Sequence, residues 1–201
     1  MSRLQKKESL KEARRRLIID TAFRIFVEQK IEPVSMGEIA SAAGIGRATL
    51  FRYYANKLEL VVAVCAAKWK EYLDELDAKR PLSSIGDIPA IDRFNFTLDS
   101  YIDMYRYHKD LLQYNDNFNH YVTHEGVREE QLEEFHASLY SVDTRLEWMY
   151  EKAKEDHTFR TDIPKEEFFS YYPCQSSNDN NNRPYIYSEI NSYNNNSRYI
   201  S

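Results

Sequence analysis

Apolar positions recur every three or four residues along most of this chain, and no segment alternates with the period of a strand. Within Arg16–Lys30, Ile18, Ala22, Ile25 and Phe26 fall on one helical stripe. Ser35 and Glu38 have the spacing of a capping box, in which each side chain satisfies a backbone N–H at a helix start. Ile39, Ala40 and Ala43 give the helix that follows a small apolar face, and Gly44 is placed to close it. A second short helix is predicted from Gly46 to Tyr54, with Leu50 and Tyr54 four apart on its buried side. Asn56 and Glu59 form another cap pair at the start of a long helix to about Lys79, which Pro81 stops.

Beyond Pro81 the pattern stays helical. Pro81–Pro89 reads as a loop, and Ala90–Tyr107 as an amphipathic helix with Ile91, Phe94, Leu98, Tyr101, Ile102 and Tyr105 on a broad face. A short helix is expected at Lys109–Tyr114. Residues 117–154 form one helix or two, with Gly126 as the break and a seam from Phe135 through Leu139, Val142, Leu146 and Met149 to Ala153. Pro173–Ser201 departs from all this. Asparagine, serine and tyrosine dominate it, Pro184 interrupts it, and it has no helical apolar face. It is expected to be disordered or loosely packed. It is either a natural floppy tail or the product of a reading-frame slip or truncation.

Ser35–Lys57 therefore reads as a helix-turn-helix, the unit that lays one helix in the major groove of DNA. The runs IIDTAFRIFVEQ and SMGEIASAAGIGRATLFRYYANKLEL resemble the amino-terminal domain of the TetR family of bacterial transcriptional repressors. Ala22 and Phe26, the turn glycine Gly44, the run Thr49, Leu50 and Phe51, the aromatic Tyr54 and the lysine Lys57 carry the likeness in order and spacing. It covers the first quarter to third of the chain. Two positions depart from the pattern. Gln29–Lys30 stands where the family often has glycine, and Gly46 where it often has serine.

The resemblance implies an all-α protein with a DNA-binding head at 1–56 and a helical effector-binding and dimerisation body at 57–172. Residues 173–201 remain as the atypical tail, where such proteins place their dimer helices. The expected partners are a palindromic double-stranded operator, a second copy of the chain unless the tail prevents it, and a lipophilic or aromatic effector. The recognition helix offers Arg47 and Arg52 to guanine edges or phosphates, Thr49 to a phosphate or thymine methyl, and Tyr53 to a phosphate, with Ala48 and Phe51 beside them. By resemblance, Ser35 and Lys57 touch phosphate. The Arg14–Arg16 run either tracks the backbone or minor groove or is a solvated helix start. Also by resemblance, Tyr72, Phe94, Tyr101, Met104, Tyr105, Tyr114, Phe118, Tyr121 and Trp148 are candidate effector walls.

Charge and composition narrow the picture. The chain of 201 residues has a formal net charge of −5. Residues 1–60 carry twelve Lys and Arg against seven Asp and Glu, so a basic head stands on an acidic body. Two cysteines, Cys65 and Cys174, make no disulfide framework, and no apolar run approaches membrane-spanning length. A cytoplasmic protein without a membrane partner is expected. His108, His120, His124 and His136 can hydrogen-bond a ligand, and His120 and His124 have helical metal-ligand spacing without the glutamate of a zinc-peptidase motif. No nucleophile elbow, phosphate loop or metal-peptidase signature is present, so neither enzymatic activity, a resident metal nor a cofactor is expected. Two other readings use the same residues: an effector-independent architectural or division-related DNA binder, and a protein–protein adaptor that uses the body alone.

Overall fold

The computed structural model describes residues 3–81, 88–133, 135, 148–158, 160–162 and 164. The described regular structure is helical: α1 (Arg3–Gln29), α2 (Met36–Ala42), α3 (Arg47–Tyr53), α4 (Lys57–Lys79), α5 (Ala90–Tyr107) and α6 (Lys109–His124), then a 3₁₀ turn at Glu129–Leu132. Residues 148–156 are also helical. The tail from Pro173 onward, His136, Cys174 and most of the seam between Phe135 and Ala153 lie outside the described residues.

The chain forms two compact units. The first holds residues 1–73 and 103–138. Its core begins at Ile18, Ala22, Ile25 and Phe26 of α1, which are buried together with Ile39, Ala40, Ala43, Leu50 and Tyr54 of the next two helices. The stripe read from the sequence is thus the packed one. α4 adds a nearly continuous buried run from Leu60 to Ala66, then Trp69, Tyr72 and Leu73. α6 buries Leu111, Tyr114, Phe118 and Tyr121.

Polar side chains tie these helices at fixed points. The Tyr114 hydroxyl donates to the Val61 carbonyl at 2.8 Å. Its ring lies 5.3 Å from that of Phe23 and 6.4 Å from that of Phe118. Lys68 of α4 pairs with Asp20 of α1 and Glu71. Burial pushes the Lys68 ammonium down, but these two carboxylates outweigh it and leave it above its ordinary value.

The second unit holds residues 74–102 and 139–201. Its α5 starts after Pro89, a residue with no side-chain acceptor to cap it. The cap comes from far along the chain. Ala90 N–H donates to Asp156 Oδ2 at 2.7 Å and Ile91 N–H to Thr158 Oγ1 at 3.1 Å, satisfying two orphan donors of the helix start. Asp156 in turn accepts from the backbone and hydroxyl of Thr158.

Three elements differ from the sequence reading. α1 begins at Arg3 rather than Arg16, because Lys, Glu, Leu, Ala and Arg before Arg16 favour helix without needing a buried face. α6 continues past Tyr114 to His124, although Asn115, Asp116, Asn117 and Asn119 are weak helix formers. Burial of Asn115, Asn117, Phe118 and Tyr121 overrides that propensity. On α5 the buried positions are Ala90, Arg93, Ser100 and Met104, about a third of a turn from the expected stripe, while Leu98, Ile102 and Tyr105 are exposed.

Candidate nucleic-acid interface

The amino-terminal head is organised by caps and turns. Ser35 Oγ accepts from Glu38 N–H at 3.3 Å, and the Glu38 carboxylate accepts from Ser35 N–H at 2.7 Å. This capping box starts α2 and holds the Glu38 carboxyl below the usual carboxylate range. Gly44, at φ +65°, ends the helix. Ile45 N–H reaches back to the Ala40 carbonyl at 3.0 Å and Gly44 N–H to that of Ser41 at 3.1 Å, a Schellman closure. The chain leaves this turn extended at Gly46 and enters α3 without a side-chain cap. Serine at 46 would have offered one. At the far side, Asn56 Oδ1 accepts from Glu59 N–H at 2.9 Å and Glu59 returns to Ala55 N–H at 2.6 Å, so α4 starts sharply.

These restraints leave α3 standing on Leu50, its one buried residue. Arg47, Ala48, Phe51 and Arg52 are exposed, and Thr49 and Tyr53 are half-buried. Phe51 is 45% exposed, a large apolar side chain with no role in its own core. Arg52 Nη2 donates to Thr49 Oγ1 at 3.2 Å, which holds both groups on one face. The Arg47 guanidinium lies against α2, and a Cβ added at Gly37 would stand 3.4 Å from its Cζ and Nε. The six residues expected at a groove share one short helix.

Ser35 and Lys57 are placed differently. The Ser35 hydroxyl is engaged in the cap. Lys57 Nζ donates to the Glu32 carbonyl at 2.9 Å and sits 5.6 Å from the centroid of the Tyr121 ring. Burial lowers the Lys57 ammonium from its ordinary value, against the opposing pull of Glu32, Glu125 and Glu38. Beside it, His120 Nδ1 lies 2.9 Å from Glu32 Oε1. The turn between α1 and α2 is therefore tied to α6 through Glu32, a link the sequence reading missed. Separation by 88 residues leaves no local signal for it.

The candidate effector walls divide between the units. In the first, Tyr72, Met104, Tyr114, Phe118 and Tyr121 are buried, and Tyr105 is 42% exposed. In the second, Phe94 and Tyr101 are half-buried and Trp148 is 52% exposed. Tyr72 meets Trp69 edge-on at 6.0 Å and His108 at 5.0 Å. The Trp69 indole N–H donates to Asn115 Oδ1 at 3.1 Å. Asn115 is fully buried, and among the described residues its Nδ2 has no hydrogen-bond partner. His120 and His124 stack at 6.1 Å, and no group of three metal-ligating side chains is found among the described residues. Among those residues no helix is long and apolar enough to cross a membrane.

Such a head, with one short helix exposed and rigidly carried by a capped partner, is a helix-turn-helix of the DNA-binding kind. Residues 18–64 match the family model of bacterial regulatory proteins, tetR family. The HTH-type transcriptional regulator AcrR of Shigella flexneri is 37% identical over 60 residues, which cover 30% of this chain and 27% of that protein. The uncharacterized HTH-type transcriptional regulator TtgW of Pseudomonas putida is 38% identical over 58 residues, covering 29% and 42%. The curated relatives are thus matched over less than half of their own length. A TetR family transcription regulator from Marinobacter aquaeolei VT8 shares the fold, with a TM-score of 0.58 at 16% identity over 81% of this chain and 79% of that one. Residues 18–64 thus resemble the amino-terminal domain of the tetR family, and the helices share the fold of solved TetR-family structures.

Proposed function

We propose that this chain is a DNA-binding transcriptional regulator, a repressor that holds a palindromic operator as a homodimer and leaves it when a small molecule binds. One observation carries the reading: α3 buries only Leu50 and turns Arg47, Phe51 and Arg52 outward. A helix so placed enters a major groove without unpacking its own core, and there Arg47 and Arg52 meet guanine edges or phosphates and Thr49 and Tyr53 add backbone contacts. Ser35 and Lys57 stand at the starts of the flanking helices, and a phosphate contact by either would compete with the cap of Ser35 or with the bond of Lys57 to the Glu32 carbonyl.

The effector reading rests on the first unit. Tyr72, Met104, Tyr114, Phe118 and Tyr121 are buried apolar and aromatic side chains, and Asn115 Nδ2 is a buried donor without a partner among the described residues. A buried unmatched amide is costly, and a ligand acceptor would satisfy it. The effector is accordingly a lipophilic or aromatic molecule with a hydrogen-bond acceptor. Its binding favours a conformer whose paired heads no longer fit the operator spacing.

The test is binding of the intact chain to duplexes selected from a random pool, at several salt concentrations. Affinity should fall steeply with salt, and the selected sites should be palindromic. Failure to enrich any duplex would remove the DNA-reading function and leave the adaptor reading. Release of the bound duplex by lipophilic compounds separates a ligand-responsive repressor from an architectural binder.

A further inference from the structure

The basic surplus of the head does not lie on its compact part. Residues 18–60 carry five Lys and Arg (Arg24, Lys30, Arg47, Arg52, Lys57) against five Asp and Glu, and are neutral. The first seventeen residues carry seven Lys and Arg against Glu8 and Glu12 and hold the whole excess of five. In the structure this stretch is the start of α1, and every residue from Gln5 to Leu17 is exposed. The core begins abruptly at Ile18. Thirteen exposed residues at about 1.5 Å each make a helical arm roughly 20 Å long.

The charges on the arm are ordered. Lys7, Lys11 and Arg14 are spaced by four and three and form one stripe. Glu8 and Glu12 lie about 100° further round. The ion pairs of Lys11 with Glu8 at 3.8 Å and of Arg16 with Asp20 at 3.9 Å are both long and across exposed side chains, so they neutralise little. Like charges one helical turn apart repel, and a polyanion relieves that repulsion. Leu10 and Leu17 are exposed on one face with Ala13 between them, an apolar strip of only two large side chains among seven basic residues.

We infer that the amino-terminal arm of α1 is a second DNA contact, in which Lys7, Lys11 and Arg14 lie on backbone phosphates flanking the half-site read by α3. The inference rests on the DNA-reading function proposed above. It divides the labour within the head: α3 supplies sequence discrimination from a neutral body, and the arm supplies the sequence-independent attraction. The stripe spans about 10 Å, the axial rise of about three phosphates on one strand.

The test compares the intact chain with the triple variant Lys7→Gln, Lys11→Gln, Arg14→Gln on a selected duplex with long flanks, a scrambled duplex of equal length, and the selected duplex trimmed to its half-sites. The triple variant should lose affinity for the selected and scrambled duplexes alike. The slope of log affinity against log salt should become shallower by about 2–3 per arm, hence about 5 for a bound dimer, and the ratio between the two duplexes should stay within about twofold. Trimming the flanks should erase the difference between the two proteins. The charge-preserving variant Lys7→Arg, Lys11→Arg, Arg14→Lys should restore the slope, which a loss of helix alone would not do. An unchanged slope in the glutamine variant overturns the arm, as does a difference that survives trimming. So does sedimentation of the wild type with vesicles of anionic phospholipid while the DNA slope stays unchanged, which would assign the arm to a membrane surface. Arg52→Ala serves as the separate control. If the wild-type chain discriminates between duplexes and Arg52→Ala narrows that discrimination, the reading head stands whatever the arm does.

Discussion

Asn117 Nδ2 donates to the main-chain carbonyl of Phe26 at 3.0 Å. Phe26 lies in the last turn of α1, where carbonyls run out of helical partners, and Asn117 sits 91 residues away on α6. A side chain of one helix therefore caps the end of another, and the bond is buried. Asn117→Ala strands the Phe26 carbonyl and should cost about 1–2 kcal/mol of stability, read by urea or thermal unfolding. A change within error would show that water takes over the carbonyl.

Lys30 follows directly, at φ +66°, in the left-handed region that favours glycine. It belongs to the Gln29–Lys30 pair that departs from the glycine of the resembling pattern. Left-handed backbone costs a side-chain-bearing residue roughly 1–2 kcal/mol, and glycine loses part of that back to the flexibility of its unfolded chain. Lys30→Gly should raise stability by about 0.5–1 kcal/mol and leave DNA affinity nearly unchanged. Lower stability in thermal melts would mean that the lysine side chain is worth more than the strain.

The Ser35 cap makes a separate case. Ser35→Ala removes one half of the box and should lower stability by about 1 kcal/mol, whereas Ser35→Asn keeps an acceptor and should retain most of it. The readout is unfolding of each variant beside the wild type. Equal stability of Ser35→Ala would show that the Glu38 half of the box suffices.

Acid should loosen the tie between Glu32 and His120. Partial burial raises the Glu32 carboxyl, but the hydrogen bond to His120, its own backbone and the charges of His120 and Lys30 outweigh it, and the group titrates below its ordinary value. A depressed carboxyl contributes stability above its unfolded pKa and loses it as pH falls through the folded one. Glu38 and Asp156 are depressed as well and act in the same direction. Melting temperature should fall below about pH 5. The gap between wild type and Glu32→Gln should narrow across the same range. A gap that widens on acidification would refute the assignment.

Local chemistry decides how much of this was legible in the sequence. The spacing of Ile18, Ala22, Ile25 and Phe26, the Ser35–Glu38 box, Gly44 and the Asn56–Glu59 pair are short-range signals, and each is found in place. The exposure of Arg47, Phe51 and Arg52 follows from Leu50 alone facing inward. Long-range partners were not legible. Nothing near Asn117 announces Phe26, nothing near Lys57 announces Tyr121, and the cap that Asp156 and Thr158 give to α5 crosses more than sixty residues. The length of α1 was missed for the opposite reason: its first turns have helix propensity but no buried stripe to reveal them.

Insertion of α3 into a major groove is tested most directly by guanine N7 methylation interference on a selected duplex, since N7 lies in that groove. Methylation within each half-site should block binding of the wild-type chain, and Arg47→Ala or Arg52→Ala should lose sensitivity at a particular guanine while keeping the fold. Binding indifferent to N7 methylation, or an identical pattern in both arginine variants, would contradict the account.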